Sequence, residues 1–101
     1  MDQREALTIA QRYAESINRK YDGVRIYLFG SYIRGNYHDD SDIDIAVVFK
    51  EYDNTLEIFL ELMRLRRSID SRIEPHPFRE RDFTNSDPMA FEILKYGEAI
   101  D

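Results

Sequence analysis

Two apolar runs bracket one polar loop, and this pattern constrains the fold more than any other feature of the chain. VRIYLF at 24–29 and IDIAVVF at 43–49 are rich in branched and aromatic side chains, so both read as strands. The connection GSYIRGNYHDDSD (30–42) opens on glycine and serine and closes on aspartate. A period of two sends Ile43, Ile45, Val47 and Phe49 to one face of the second strand. Asp42, Asp44, Ala46 and Val48 go to the other. Asp44 therefore lies inside an apolar strand, where a carboxylate is costly without a partner.

Helical spacing governs the flanks. Ala6, Ile9, Tyr13 and Ile17, widened by Ala10 and Ala14, predict a helix over 3–19, with Asp2 and Glu5 as a capping box. Asp22-Gly23 reads as a turn. A second helix is expected over 55–69, opened by Asn54 with Glu57. Leu56, Phe59, Leu60, Leu62, Met63 and Ile69 would form its broad apolar face. RIEPHPF at 72–78 predicts a third strand, and its two prolines place it at a sheet edge. The last helix spans 88–96, with Asp87 as cap, Pro88 at the first position and Gly97 at the exit. The order α, β, short α, β, α, β, α predicts an α/β (α+β) domain over residues 1–101, a small mixed β-sheet packed with helices. Strand order is left open.

A formal net charge of −6 argues against broad nucleic-acid binding, which needs a basic footprint. The absence of cysteine removes disulfides and thiolate chemistry. No apolar stretch approaches the roughly 20 residues that span a membrane. The N-terminal MDQREALTIAQRYAE lacks the apolar core of a signal peptide. The expectation is a cytoplasmic, membrane-free protein.

Gly30 ends the first strand, and Ser31 is placed to cap a short helix from Tyr32. Backbone N–H groups at such a turn suit phosphate oxygens, and glycine lets them approach. A plain strand-to-helix turn explains the same dipeptide. Arg34 is placed to neutralise charge or to pair with Asp39, Asp40 or Asp42. The loop is not a P-loop, because it lacks that motif's lysine and spacing. Asp42 and Asp44 share one face and repel unless neutralised. Mg²⁺, with Mn²⁺ as substitute, resolves that conflict, and two such ions could act on a phosphate. Glu74 is the only acidic residue in the third strand and is the expected third carboxylate, with Asp70 as rival at the helix exit. His76 shares its face and could contact phosphate or substrate, but it reads first as an ordinary half-buried histidine. Neither His38 nor His76 has zinc-site spacing. Ser41 is placed to cap the loop or to orient the aspartates.

GSYIRG followed by SDID resembles the signature G-S-x-x-R-G … S-D-x-D of the minimal nucleotidyltransferases in the DNA polymerase beta-like superfamily. The matching residues are Gly30, Ser31, Arg34, Gly35, Ser41, Asp42 and Asp44, and the ending SDPMAFEILKYGEAI is similar to these small proteins. The resemblance implies a polymerase beta-like core and transfer of a nucleoside monophosphate, AMP from ATP or another NTP, to a hydroxyl. It implies that Gly30, Ser31, Arg34 and Ser41 bind the nucleotide. Asp42 and Asp44 would hold Mg²⁺, with Glu74 as catalytic carboxylate and third ligand. It also implies a role as antitoxin to an all-helical partner of the HEPN class, with a partner tyrosine as acceptor. Two alternatives stay open: an inactive antitoxin that works by complex formation, and a transferase for a small aminoglycoside-like alcohol. A homo-oligomer stays open too.

Overall fold

In the computed structural model, which describes all 101 residues, α1 spans Gln3–Lys20 and starts where Asp2 accepts the Glu5 N–H at 2.8 Å. The chain then enters β1 (Arg25–Phe29), a single helical turn α2 (Ser31–Arg34) and β2 (Ile43–Phe49). α3 (Thr55–Leu65) is capped by Asn54, which accepts from the Glu57 N–H at 3.0 Å. β3 (Ile73–Arg79) and α4 (Pro88–Tyr96) follow, and β4 (Glu98–Ala99) closes the chain. Asp87 caps α4 through the Met89 and Ala90 N–H groups. Each such cap stabilises its helix by about 1 kcal/mol.

The sheet order is β3-β2-β1-β4. β1 runs antiparallel to β2 and β4, whereas β2 and β3 are parallel. A parallel pair needs a crossover, and α3 supplies it. One face of the sheet carries Ile26, Leu28, Ile43, Ile45, Val47 and Ile73 against α1 and Leu62 of α3. There the buried Tyr13 hydroxyl donates to the Leu62 carbonyl at 2.7 Å and joins α1 to α3. The opposite face carries Phe29, Ala46, Val48 and Phe78 against Phe83 and, from α4, Ala90 and Ile93. Asp44 alternates onto this second face, beside the Phe29 end of β1. No helix is long and apolar enough to cross a membrane.

Several local expectations change. The helix expected over 55–69 ends at Leu65 and tightens into a 3₁₀ turn at Arg66–Ser68. The Arg66 guanidinium donates to the Ile73 carbonyl at 2.9 Å, which draws the chain toward β3. Its apolar face is mostly not core: Leu62 is fully buried, but Leu56 and Leu60 stay 63% and 49% exposed. α1 runs one residue further than expected, and β3 is displaced by one. β4 was not expected. β3 does lie at the sheet edge. Pro75 and Pro77 alternate with Glu74, His76 and Phe78, so the missing N–H groups belong on the outward side while the ladder to β2 stays intact.

Candidate active site

Three adjacent strands deliver the candidate residues to one end of the sheet. β1 ends at Phe29, and Gly30 follows with φ +81° and ψ −151°, a conformation essentially reserved for glycine. A second reason for glycine is steric: a Cβ here would lie 2.4 Å from Asp44 Oδ2. Gly30 thus seats Asp44 as well as turning the chain. Gly30 is itself the N-cap of α2. Ser31 is the first helical residue, and no side-chain cap bond forms, which corrects the expectation that Ser31 caps the turn.

Arg34 also departs from expectation. Its guanidinium pairs with Glu92 of α4 at 3.0 Å and stacks over the Tyr96 ring at 5.1 Å, away from Asp39, Asp40 and Asp42. Both partners of this ion pair are solvent-accessible, so the pair is worth at most about 1 kcal/mol and is readily exchanged. Ser41 is buried, and its hydroxyl accepts the His38 N–H at 2.9 Å while its own N–H donates to the His38 carbonyl at 3.0 Å. It locks the loop that leads into Asp42, and its recorded bonds go to His38 rather than to an aspartate.

Asp42 is exposed just before β2, and Asp44 is half-buried inside it. Register places Asp44 between Phe29 of β1 and Glu74 of β3. The structure therefore brings Gly30, Asp42, Asp44 and Glu74 together, and it leaves Arg34 and Ser41 in other contacts. Asp70, the rival carboxylate, is engaged instead by Arg72 at 2.7 Å, which lowers its pKa. Glu74 reaches Asp42 within hydrogen-bonding range. The proximity of Asp42 raises the Glu74 pKa above the ordinary carboxylate value. Burial and the Asp42 and Asp44 charges add to the rise, and His76 opposes it.

His76 belongs to this group more closely than its sequence suggested. Its Nε2 lies 3.1 Å from Asp44 Oδ1, and the ring packs edge-on to Phe29 at 5.1 Å. The available signal was its two-residue spacing from Glu74. Glu92 carried no local signal at all, since it meets Arg34 across 58 residues.

No three His, Asp or Glu side chains converge as a complete metal cage. The donor chemistry nevertheless fits Mg²⁺, which is typically held by one or two carboxylates plus substrate phosphates and water. Carboxylates crowded together at one end of the sheet are the groups a divalent cation would relieve.

A family model described as polymerase beta, nucleotidyltransferase, matches residues 11–100. The protein adenylyltransferase MntA of Thermococcus cleftensis is 36% identical over 58 residues, which are 57% of this chain and 58% of that protein. The match thus spans little more than half the length of that relative. A Sulfolobus solfataricus crystal structure, provisionally described as a nucleotidyltransferase, shares the fold with a TM-score of 0.72 and 26% identity, over 96% of this chain and 80% of that one. A toxin-antitoxin structure with AMP-PNP shares the fold with a TM-score of 0.67 and 24% identity, over 90% and 72%.

Proposed function

The chain belongs to the polymerase beta nucleotidyltransferase family, and from that premise we propose that it transfers AMP from ATP to a hydroxyl on a helical partner protein, as the antitoxin of a two-protein module. The observation that carries this reading is the order of groups across the sheet. The Gly30–Ser31 turn, Asp44 and Glu74 occupy adjacent strands in register, with Asp42 in reach of Glu74. This order matches what phosphoryl-group chemistry needs: a cradle for the leaving phosphates, negative ligands for a cation, and a base beside the entering hydroxyl.

Asp42 and Asp44 would hold Mg²⁺ together with substrate phosphates and water, and the bound ion would supply neutralisation of the phosphate charge. The Gly30–Ser31 backbone and the Ser31 hydroxyl bind the β- and γ-phosphates. Arg34 joins them by exchanging Glu92 for phosphate. Glu74 takes the proton as the acceptor oxygen bonds to the α-phosphorus. The bond from that phosphorus to the oxygen bridging the β-phosphate breaks, and pyrophosphate leaves. The reading places the reaction in the cytoplasm, where nucleoside triphosphates are supplied.

Similarity to an adenylyltransferase and to a toxin-antitoxin structure with AMP-PNP supports both the nucleotide and the partner class. The test is incubation with α-labelled ATP, Mg²⁺ and a candidate helical partner of the HEPN class, followed by intact-mass measurement. One AMP added to the partner, and lost with Asp42→Asn, is the expected result. A tight complex with no adduct would reduce the protein to a binding antitoxin. An adduct on a small alcohol alone would refute the protein acceptor.

A further inference from the structure

An apolar groove of about 680 Å³ runs along the outer side of β3, away from β2. Pro75, Pro77 and Phe78 contribute from the strand, Leu56 and Phe59 from α3, and Met89 from α4. Leu56 is 63% and Met89 40% exposed, so the groove presents large apolar side chains that the fold itself does not cover. His76 lines the groove and also reaches Asp44 at 3.1 Å. One side chain therefore joins the groove to the carboxylates.

From these features we infer that the groove is the docking site for the acceptor-bearing segment of the partner protein, an inference that rests on the transfer reaction proposed above. In-line displacement sets the entering and leaving oxygens on opposite sides of the phosphorus. The turn that would hold the leaving phosphates follows β1, Asp44 is on β2 and Glu74 on β3. With about 4.8 Å between strands, this sequence runs across the sheet toward the β3 edge, so the acceptor enters over that edge. The groove is the surface that meets it there.

The strand also says how the segment binds. An added β-strand would need N–H donors from the outer edge, and Pro75 and Pro77 have none. The occupant must dock through side chains. It is a helix or compact loop whose apolar residues fill the space between Leu56, Phe59 and Met89, with a hydroxyl-bearing residue directed past His76 toward Glu74. An apolar anchor in a desolvated pocket is the usual energetic centre of such an interface.

The absence of native cysteine permits a test made after folding. Leu56→Cys is coupled to a bulky maleimide, with Leu56→Glu as an independent second variant. Transfer to the HEPN-class partner, transfer to free tyrosine, Mg²⁺-dependent ATP binding and sedimentation are compared with wild type. The expected result is a loss of about tenfold or more in kcat/KM for the protein acceptor, carried by KM. ATP binding and transfer to free tyrosine should stay within about twofold, because uniform acceptor binding alone has been removed. Unchanged transfer to the protein would overturn the groove and leave the transfer reaction standing. Weakened ATP binding would make the groove a nucleobase site, and a wild-type dimer split by the modification would make it a self-association surface; either overturns the inference. If the wild type binds the partner without transferring, the enzymatic reading fails separately. The groove then stands only if the modification weakens that complex, and falls if it does not.

Discussion

At the scale of single residues, Gly30 shows how one position serves the backbone and the site together. Its φ of +81° disfavours any side chain, and a Cβ would press against Asp44 Oδ2. Gly30→Ala should cost about 1–3 kcal/mol in denaturant unfolding and displace the Asp44 carboxylate. Mg²⁺-dependent ATP binding should fall more than stability alone explains; a variant that binds normally would show that Asp44 does not need this seat. Glu74 makes a second residue-level prediction. Its folded pKa is raised, so the metal-free folded state holds more protons than the unfolded chain above the ordinary value of 4.5. Its contribution to stability is present below 4.5 and is lost as pH rises through the folded pKa. Glu61 and Asp70 are depressed and act oppositely, losing their contribution as pH falls below 4.5 and 3.8. The Tm of metal-free wild type should therefore fall relative to that of Glu74→Gln as pH is raised above 4.5. An identical pH dependence in both proteins would show that Glu74 does not titrate abnormally in the folded state.

Elements were legible where local pattern decides and illegible where tertiary contact decides. Alternation in IDIAVVF and the caps at Asp2, Asn54 and Asp87 announce β2, α1, α3 and α4. The two prolines announce an edge strand, and β3 is one. β4 is two residues long and exists only through its pairing with Tyr27 and Leu28, so no period could reveal it. Helical spacing found the apolar residues of α3 but not what covers them: Leu62 meets α1, while Leu56 and Leu60 meet solvent. That difference is measurable. Leu62→Ala should cost about 2–5 kcal/mol, because a fully buried side chain leaves a cavity. Leu60→Ala should stay within about 0.5 kcal/mol. Equal losses at the two positions in urea unfolding would contradict this division of the helix.

Across the whole molecule, the clustered carboxylates set charge repulsion against the apolar packing of the sheet. The site's spacing was legible because alternation fixes the Asp42/Asp44 face. The partners of Arg34 and Ser41 were not, since Glu92 and His38 are chosen by the folded arrangement. Asp42, Asp44 and Glu74 gather negative charge at one end of a sheet whose other contacts are apolar, in a chain already carrying −6. Mg²⁺ and nucleotide together should relieve that repulsion, and any ligand that binds only the folded state stabilises it by mass action. At about ten times its Kd, Mg²⁺-ATP should add roughly 1.4 kcal/mol, a rise of roughly 5–10 °C in Tm for a chain of this size. Mg²⁺ or ATP alone should give less. Asp44→Asn should lose most of the combined shift because a ligand is gone, whereas Glu74→Gln should keep more of it and lose transfer to the partner, since a base acts in the chemical step. Thermal scans of the three proteins, each with Mg²⁺, ATP, both or neither, separate these roles. A full shift in Asp44→Asn would take that residue out of the metal site. Wild-type transfer by Glu74→Gln would leave Asp42 and Asp44 as the only essential carboxylates, with β3 serving only to bring the acceptor in.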